Sequence, residues 1–463
     1  MKKTLIALVL LISLQTAAQS IFRTACQGKL ARLDSMLTNK SVSIKDNKGR
    51  SLLHWAVACE KQNVFDYLIK KGININSEDP QQNTPLHIAA RYNLTSYFDQ
   101  LTALQTNTEW VKKYGATLLE SAIINKSEPL VSKLIAFGAD VNQPNKRGSV
   151  PLELAKRLKA TKIYSALLTA GADENKIRTF TMKGKYMGQQ PPGKTAQLFA
   201  PNFISTEAEE FGAVFNKAGD EFYFGAHING KSEIKYSKMV ENVWTEPKTI
   251  LVHPKFGYND PFLSNDEKRL YFISSQALDT TQKPKDIDIW YIQKTPNGWS
   301  APINAGASIN TQKDEYYISF TNNGTMYFAS NGHHKKDTTR TDHDIYYSKL
   351  VDNKYQKPVN LGSSINSNDY EADVFIAPDE SYIIYCATRD GSFGRGDLYI
   401  SFKKSDNTWT PSKNMGSAVN TKNYEYCPFV SKDGKYLFYT SNQDIYWIST
   451  TILDDLKPKK EEE

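Results

Sequence analysis

The stretch Thr84-Pro85-Leu86-His87-Ile88-Ala89-Ala90 decides the fold of the N-terminal part of the chain, because its register recurs before and after it. The shared leucine of each copy stands 33 residues from the next, at Leu53, Leu86, Leu119 and Leu152. Three glycines keep this phase and follow apolar helical patterns, where a helix end needs positive φ: Gly72, Gly138 and Gly171. A fixed period of this length predicts stacked helical repeats that bury one continuous core.

The repeating unit resembles the ankyrin repeat, whose 33-residue motif carries T-P-L-H-x-A-A and ends in G-A-D-x-N. Thr84–Ala90 matches the first part, and Gly138–Asn142 and Gly171–Asn175 match the second. The resemblance implies about five repeats over residues 20–175. The first repeat is degenerate and is expected to act as a cap.

The sequence predicts a structural role for two histidines of these repeats and the redox state of two cysteines. The resemblance implies that His54 and His87 bond the backbone within their own turns, so neither is proposed as catalytic. Cys26 and Cys59 fall on the first helices of adjacent repeats, which stack about 10 Å apart. Because a disulfide needs Cα atoms within about 7 Å, we expect this pair to stay reduced. The structural interpretation of all four cysteines is that they are buried thiols.

Beyond about residue 195 the helical period gives way to alternating aromatic strands joined by turns of the Asp-Gly and Asn-Gly kind, a strong hairpin signal. The second strand of each unit recurs 55, 56, 53 and 47 residues apart, at Glu233, Asp288, Asp344, Asp397 and Asp444. Four short strands in about 50 residues form one β-propeller blade. The stretch Ser431–Ser441, with Asp444–Tyr446 after it, resembles the TolB-like, WD-like propeller repeat, and this resemblance covers about 195–450.

The closure of the ring is also predictable. The last unit lacks an outer strand, whereas Leu198-Phe199-Ala200-Pro201 upstream matches the outer strand Trp299–Pro302. An N-terminal strand in the last blade would remove exposed sheet edges. We therefore expect five blades sealed by residues 195–205, since the alternative of six needs a whole further unit. The fold class is an α + β two-domain chain, an ankyrin α-solenoid followed by an all-β propeller.

The N-terminus has the order of a secretory signal: Lys2 and Lys3, the apolar run Leu5–Leu14, then Thr16-Ala17-Ala18. The expected boundaries are a signal peptide at 1–18, ankyrin repeats at 20–175, a linker at 176–194, the propeller at 195–450 and a disordered tail at 451–463. A bilayer span needs about 20 apolar residues, and no segment provides them. We expect a periplasmic chain without a membrane span, with secretion as the alternative.

Charge and motif content argue against several activities. The 57 Lys and Arg residues against 50 Asp and Glu give a net charge of +7, with no basic run of the kind that binds nucleic acid. Motifs such as GxSxG, HExxH, a Walker A loop and a Rossmann fingerprint are missing from the sequence. The loop with His333, His334 and His343 is read as solvated rather than as a chelate. We expect no enzyme activity, no cofactor and no metal site.

Acidic residues recur just before the first strand of successive blades, at Glu315, Glu371 and Glu425, with Asp260 and either Glu209 or Glu210 nearby. In the favoured, structural interpretation, each glutamate bonds neighbouring backbone or the asparagine of its blade. The alternative is a cation or sugar site in the central funnel, since glycosidases use two carboxylates about 5–10 Å apart. Equivalent repeat positions lack the asymmetry that acid–base catalysis needs, which counts against an enzyme.

The main functional prediction is a non-enzymatic scaffold for protein–protein interaction, because solenoids bind partners on extended concave surfaces. Repeat phase alone nominates five contact residues: Arg50, Arg91, Tyr92, Asn145 and Arg147. Trp55 is expected in the core. The resemblance to TolB implies that the propeller is a second platform for a cell-envelope protein. The alternative function is a carbohydrate-binding or glycosidase-like propeller, and the oligomeric state is left open.

Overall fold

The computed structural model describes residues 17–37, 41–105, 109–145, 147–177, 181–228, 230–278, 286–332 and 342–458. The chain divides into two compact units, Met1–Thr179 and Phe180–Glu463. We call them the helical unit and the β unit and describe each by itself. The predicted signal peptide lies outside the described residues as far as residue 16, and Ala17 and Ala18 begin the first helix.

The described part of the helical unit contains five consecutive helix pairs, as the resemblance implied. The first helices of the pairs are α1 (Ala17–Cys26), α3 (Leu52–Ala58), α5 (Pro85–Arg91), α7 (Glu109–Ile124) and α9 (Pro151–Arg157). The second helices are α2 (Leu30–Leu37), α4 (Gln62–Lys70), α6 (Thr95–Ala103), α8 (Glu128–Ala136) and α10 (Thr161–Thr169). The four phased leucines are at most 1% exposed, so the 33-residue period marks the core.

The helices begin and end where the local sequence dictates. Thr84 caps α5 with Pro85 in its first turn, and His87 completes a capping box. Gly138 follows α8 with a φ of 88°, which closes the helix at a position where other residues are strained. The third repeat departs from the pattern, because no proline stands at Leu118 and α7 runs through it for 16 residues.

Cys26 and Cys59 form a disulfide with Cα atoms 5.2 Å apart, so the prediction that they stay reduced is wrong. The spacing of about 10 Å separates helix axes, and each Cα lies about 2.3 Å off its own axis, which leaves about 5 Å between facing Cα atoms. Cys26 is the last residue of α1 and Cys59 directly follows α3, and the fully buried Ala25 and Ala56 line the packed faces. The other two cysteines are free and buried, as expected.

In the described part of the β unit, the strands form five antiparallel blades, as predicted. Blade 1 contains β2 (Glu209–Phe215), β3 (Glu221–Ile228), β4 (Lys231–Val240), β5 (Val243–Trp244) and β6 (Lys248–Leu251). Blade 2 contains β7 (Asn259–Leu263), β8 (Arg269–Ser274), β9 (Asp288–Thr295), β10 (Gly298–Trp299) and β11 (Ile303–Asn304). Blade 3 contains β12 (Glu315–Phe320), β13 (Met326–Ser330), β14 (Asp344–Ser348), the short pair β15 (Leu350–Val351) and β16 (Lys354–Tyr355), and β17 (Val359–Asn360).

Blade 4 contains β18 (Glu371–Ile376), β19 (Tyr382–Ala387), β20 (Asp397–Phe402) and β21 (Lys413–Asn414). Blade 5 contains β22 (Glu425–Val430), β23 (Tyr436–Ser441) and β24 (Asp444–Ser449), and β1 (Gln197–Leu198) completes it. Gln197 lies opposite Trp447 and Leu198 opposite Tyr446, so the predicted closure is confirmed. The first strands β2, β7, β12, β18 and β22 contact one another in a closed circle, which places them around the axis.

The edges of the β unit differ from the expected boundaries. Within the predicted linker, the amide of Gly184 donates to the carbonyl of Asn242, and Met187 is 2% exposed. Residues 181–194 therefore pack as part of the β unit, because the apolar Met187 is buried there. In the predicted tail, Thr450–Leu453 form a 3₁₀ turn whose Ile452 and Leu453 are buried, whereas residues 459–463 lie outside the described residues.

Candidate functional site

The Arg50 side chain makes its main contacts within its own repeat. Its guanidinium lies 2.7 Å from Asp46 Oδ2 and stands 4.5 Å from the centre of the Trp55 ring. Trp55 Nε1 donates to the same carboxylate oxygen at 2.9 Å, and the ring is buried, as expected. The Arg50 side chain is 18% exposed. This arrangement stabilises the loop before α3 and leaves little of Arg50 for a partner.

Arg91 and Tyr92 stand exposed at the C-terminal end of α5. Tyr92 is 39% exposed, and Arg91 makes a single long contact of 3.5 Å from Nη2 to Asn83 Oδ1. Asn125, which directly follows α7 of the next repeat, donates from Nδ2 to the carbonyl oxygen of Arg91 at 2.6 Å. The two side chains therefore project from a backbone that neighbouring repeats hold in place.

Asn145 and Arg147 belong to the loop before α9. Asn145 Oδ1 accepts from the amides of Arg147 and Ser149, and its Nδ2 donates to Glu120 Oε1 at 2.7 Å. Such bonds from an asparagine side chain to the amides that follow it form a tight local turn. Arg147 is half-buried. Of the five predicted contact residues, Arg91 and Tyr92 are thus the two exposed ones.

A groove of about 740 Å³ lies between the loops of the first repeats and α7. Glu78 forms one wall, where it accepts hydrogen bonds of 2.6 Å from Lys113 Nζ and from the Tyr114 hydroxyl. Lys45 Nζ donates to the carbonyl oxygen of Glu78 at 2.7 Å. The sequence analysis did not predict this groove. Its residues Lys113 and Tyr114 lie in the N-terminal part of α7, where this helix is longer than the repeat pattern predicts.

The two capping-box histidines join adjacent repeats. His87 Nδ1 accepts from the amide of Thr84 at 3.1 Å, and its Nε2 pairs with Thr117 Oγ1 of the next repeat at 2.8 Å. His54 repeats the pattern, with its Nε2 at 3.0 Å from the carbonyl oxygen of Asn83. Burial lowers the pKa of His87 to about 4 and also lowers the pKa of His54. Both rings are therefore neutral structural links.

We expect acid to destabilise the helical unit. The unfolded pKa of His87 is 6.5 and the folded value about 4, so its contribution is complete above pH 6.5 and is lost as the pH falls through 4. At about 1.4 kcal/mol per pKa unit, the loss reaches about 3 kcal/mol. The neighbouring charges oppose one another, since Arg91 and His54 lower this pKa whereas Asp79 and Glu78 raise it.

The measurement is urea unfolding of the full chain between pH 7 and pH 4, followed by circular dichroism of the helices. The control is His87→Gln, which cannot titrate and should lose the part of the pH slope that His87 contributes, whereas His54, whose pKa burial also lowers, keeps its own part. An equal slope in the variant would assign the acid sensitivity to other groups.

The recurring glutamates of the β unit are enclosed by their own blades. Glu315, Glu371 and Glu425 are 0% exposed, and each accepts from the amide and the hydroxyl of the residue four positions earlier. Burial raises the pKa of Glu315 to about 7, although the hydrogen bonds from Thr311 and Ser330 act in the opposite direction. Burial also raises the pKa values of Glu371 and Glu425. This geometry is the one that the structural interpretation describes.

Asp260 does not share the position of these glutamates. In blade 2 the position equivalent to these glutamates is Tyr258, whose hydroxyl donates to Gln276 at 2.8 Å. In blade 1 it is Glu210, which accepts hydrogen bonds from the amide and the hydroxyl of Thr206. Asp260 stands two residues later, at an irregularity in strand pairing that every first strand repeats. The residues with positive φ there are Gly212, Asp260, Tyr317, Asp373 and Cys427.

Three of these residues meet. The ligand atoms of Asp260, Asp373 and Cys427 all lie within 4.8 Å of one another, and Cys427 Sγ donates to Asp260 Oδ1 at 3.2 Å. Burial raises the pKa of Asp260 to about 6 and raises the pKa values of Asp373 and Cys427 well above their ordinary values. The sequence analysis grouped Asp260 with the glutamates and did not identify the position two residues further on, where the five blades carry four different residue types.

The comparisons with known proteins concern the helical unit. The family described as ankyrin repeats (3 copies) matches residues 21–109, which confirms the ankyrin repeats. Palmitoyltransferase AKR1 of Lachancea kluyveri is 32% identical over 127 residues, which are 26% of this chain and 17% of that protein. Ankyrin repeat and SOCS box protein 11 of Mus musculus is 29% identical over 101 residues, which are 21% of this chain and 30% of that protein.

A solved ankyrin repeat domain from Acinetobacter baumannii is 24% identical, with a TM-score of 0.30, over 34% of this chain and 83% of that one. The chain thus spans between 17% and 30% of the two curated relatives described above. Among the described residues, every helix is too short or too polar to pass through a bilayer. His333 and His334 of the loop considered earlier lie outside the described residues.

Proposed function

We propose that this chain is an exported, non-enzymatic scaffold that binds a cell-envelope protein through its ankyrin repeats, with Arg91 and Tyr92 at the centre of the contact. The observation that carries the proposal is the exposure of these two side chains on a backbone fixed by Asn125. Arginine and tyrosine are residue types that dominate binding energy in protein interfaces. The backbone that carries Arg91 and Tyr92 is already fixed by the neighbouring repeats, so it loses little conformational freedom when a partner binds.

The disulfide and the enclosed glutamates support two further parts of the proposal. Disulfides such as Cys26–Cys59 persist mainly in oxidising compartments, which favours export to the periplasm, in agreement with the signal-like N-terminus. Glu315, Glu371 and Glu425 are 0% exposed, so these three predicted funnel residues do not present an accessible carboxylate pair, which favours a binding role over hydrolysis. The propeller then acts as a second platform of TolB-like type.

We expect Arg91→Ala/Tyr92→Ala to weaken binding of the partner at least about tenfold, because each truncation of a central contact residue commonly removes more than about 1 kcal/mol. Partners are recovered from envelope extract on the immobilised chain, identified by mass spectrometry, purified and titrated against each variant.

The matched control is Arg32→Ala/Phe137→Ala. It removes an exposed arginine from the second helix α2 and a 38% exposed aromatic ring at the end of α8. The control should bind like wild type. Equal affinity of wild type, control and Arg91/Tyr92 variant for every purified partner would remove this surface from the proposal.

A further inference from the structure

Asp260, Asp373 and Cys427 converge from blades that are not all neighbours. Blade 2 supplies Asp260, blade 4 supplies Asp373 and blade 5 supplies Cys427. In the closed circle of first strands, the neighbours of β7 are β2 and β12, so β18 and β22 lie across the circle from it. Atoms from these three strands approach within 4.8 Å of one another only where the circle is narrowest. The group therefore lies on the propeller axis, and we call it the axial cluster.

Asp373 is the residue of the axial cluster that points to a ligand. The residue is 7% exposed, and among the described residues none donates a hydrogen bond to its carboxylate. Residues at the same depth in the first strands are bonded: Tyr317 donates its hydroxyl to the carbonyl of Pro428 at 2.9 Å, and Asp260 accepts from Cys427. A buried carboxylate is costly when it is ionised without a donor or a cation, and a bound cation would remove this cost.

Among the residues that the structure describes, none supplies a cation to the axial cluster. Across the described parts of the β unit, no Lys, Arg or His forms an ion pair with Asp260 or Asp373. The position that blade 1 contributes is Gly212, where an added Cβ would lie 3.7 Å from Asp260 Oδ1 and 3.3 Å from its Cα. Glycine at this one bulge thus keeps open the space beside the carboxylate that any larger residue would fill.

We propose that the axial cluster binds one zinc-class divalent cation through Asp260, Asp373 and Cys427. Zinc accepts thiolate and carboxylate ligands together and is commonly held by three protein groups with a fourth position open. The sulfur ligand disfavours calcium and magnesium, which prefer oxygen alone. The cation would neutralise two buried carboxylates and tie blades 2, 4 and 5 together across the axis.

The test uses the full chain, purified, freed of metal with a chelator and kept with Cys427 reduced. Zinc and cobalt(II) are titrated alone, and we expect one ion per chain with a dissociation constant below about 10 μM. Bound cobalt(II) should show a sulfur-to-metal charge-transfer band in the near ultraviolet. Wild-type protein that binds neither ion at this level would overturn the proposal, whatever the behaviour of any variant.

Asp373→Asn and Cys427→Ser each remove one ligand while keeping side-chain size, and each should weaken binding on the order of 100-fold or more. The matched control is Cys386→Ser, which changes the other free and fully buried cysteine and should leave binding and the cobalt band intact. Circular dichroism establishes that each variant is folded. Loss of the band in Cys386→Ser but not in Cys427→Ser, or calcium binding unaffected by Cys427→Ser, would overturn the assignment of ligands.

Discussion

Replacing Phe199 with alanine is expected to lower the free energy of unfolding of the β unit by about 3–5 kcal/mol, the range for a fully buried phenylalanine. Phe199 is 0% exposed and directly follows β1, the strand that closes the ring. Its ring lies 5.1 Å from that of Phe438 and 5.3 Å from that of Trp447 in blade 5. It also lies 5.5 Å from the ring of Phe222 in blade 1. One side chain therefore fills the seam between the first and last blades.

The packing of Phe199 is expected to outweigh the hydrogen bonds around β1, which include those from Gln189 Nε2 to the carbonyl of Leu198 and from the amide of Phe199 to the carbonyl of Ile445, both 2.8 Å. The strand has two paired residues, so its backbone hydrogen bonds make a small net contribution. Urea unfolding followed by tryptophan fluorescence measures the loss, because Trp447 packs against Phe199. The control is Phe393→Ala, whose ring is 51% exposed and whose removal should cost less than about 0.5 kcal/mol. A loss in Phe199→Ala no larger than in the control would mean that the seam is held by other groups.

The sequence predicted the blade count and the closing strand because both depend on local signals. Strand alternation and turn residues recur with each blade, and the missing outer strand of the last unit had a single upstream match in Leu198–Pro201. Pairing of Leu198 with Tyr446 then follows from removing a free edge. The same reasoning placed the ankyrin leucines in the core.

The axial cluster was not predictable in this way. Each first strand carries a local irregularity in pairing, and the residue there varies between blades, from Gly212 and Tyr317 to the aspartates of blades 2 and 4 and the cysteine of blade 5. A repeat signature detects what is common, such as Glu315 and its counterparts, and passes over positions whose importance comes from their differences. Convergence across the ring is a property of the closed fold and has no counterpart in sequence spacing.

The Cys26–Cys59 disulfide, which the sequence analysis did not predict, is expected to contribute strongly to the stability of the helical unit. Removal of the bond in Cys26→Ala/Cys59→Ala should lower the free energy of unfolding of the helical unit by about 3–4 kcal/mol. The bond closes a loop with a sequence separation of 33, and an unfolded chain without it gains the entropy of that loop. Within the described residues the first, degenerate repeat packs against the second repeat, and the bond joins these two, so we expect the first repeat to depend on the bond most.

Thiol counting and urea unfolding together check this expectation. Denatured wild type should show two reactive thiols before reduction and four after it, since Cys386 and Cys427 are free. Reduction should bring wild type to the stability of the double variant and leave the variant itself unchanged, which separates the bond from any general effect of the reductant. Four thiols without reduction would contradict the bond.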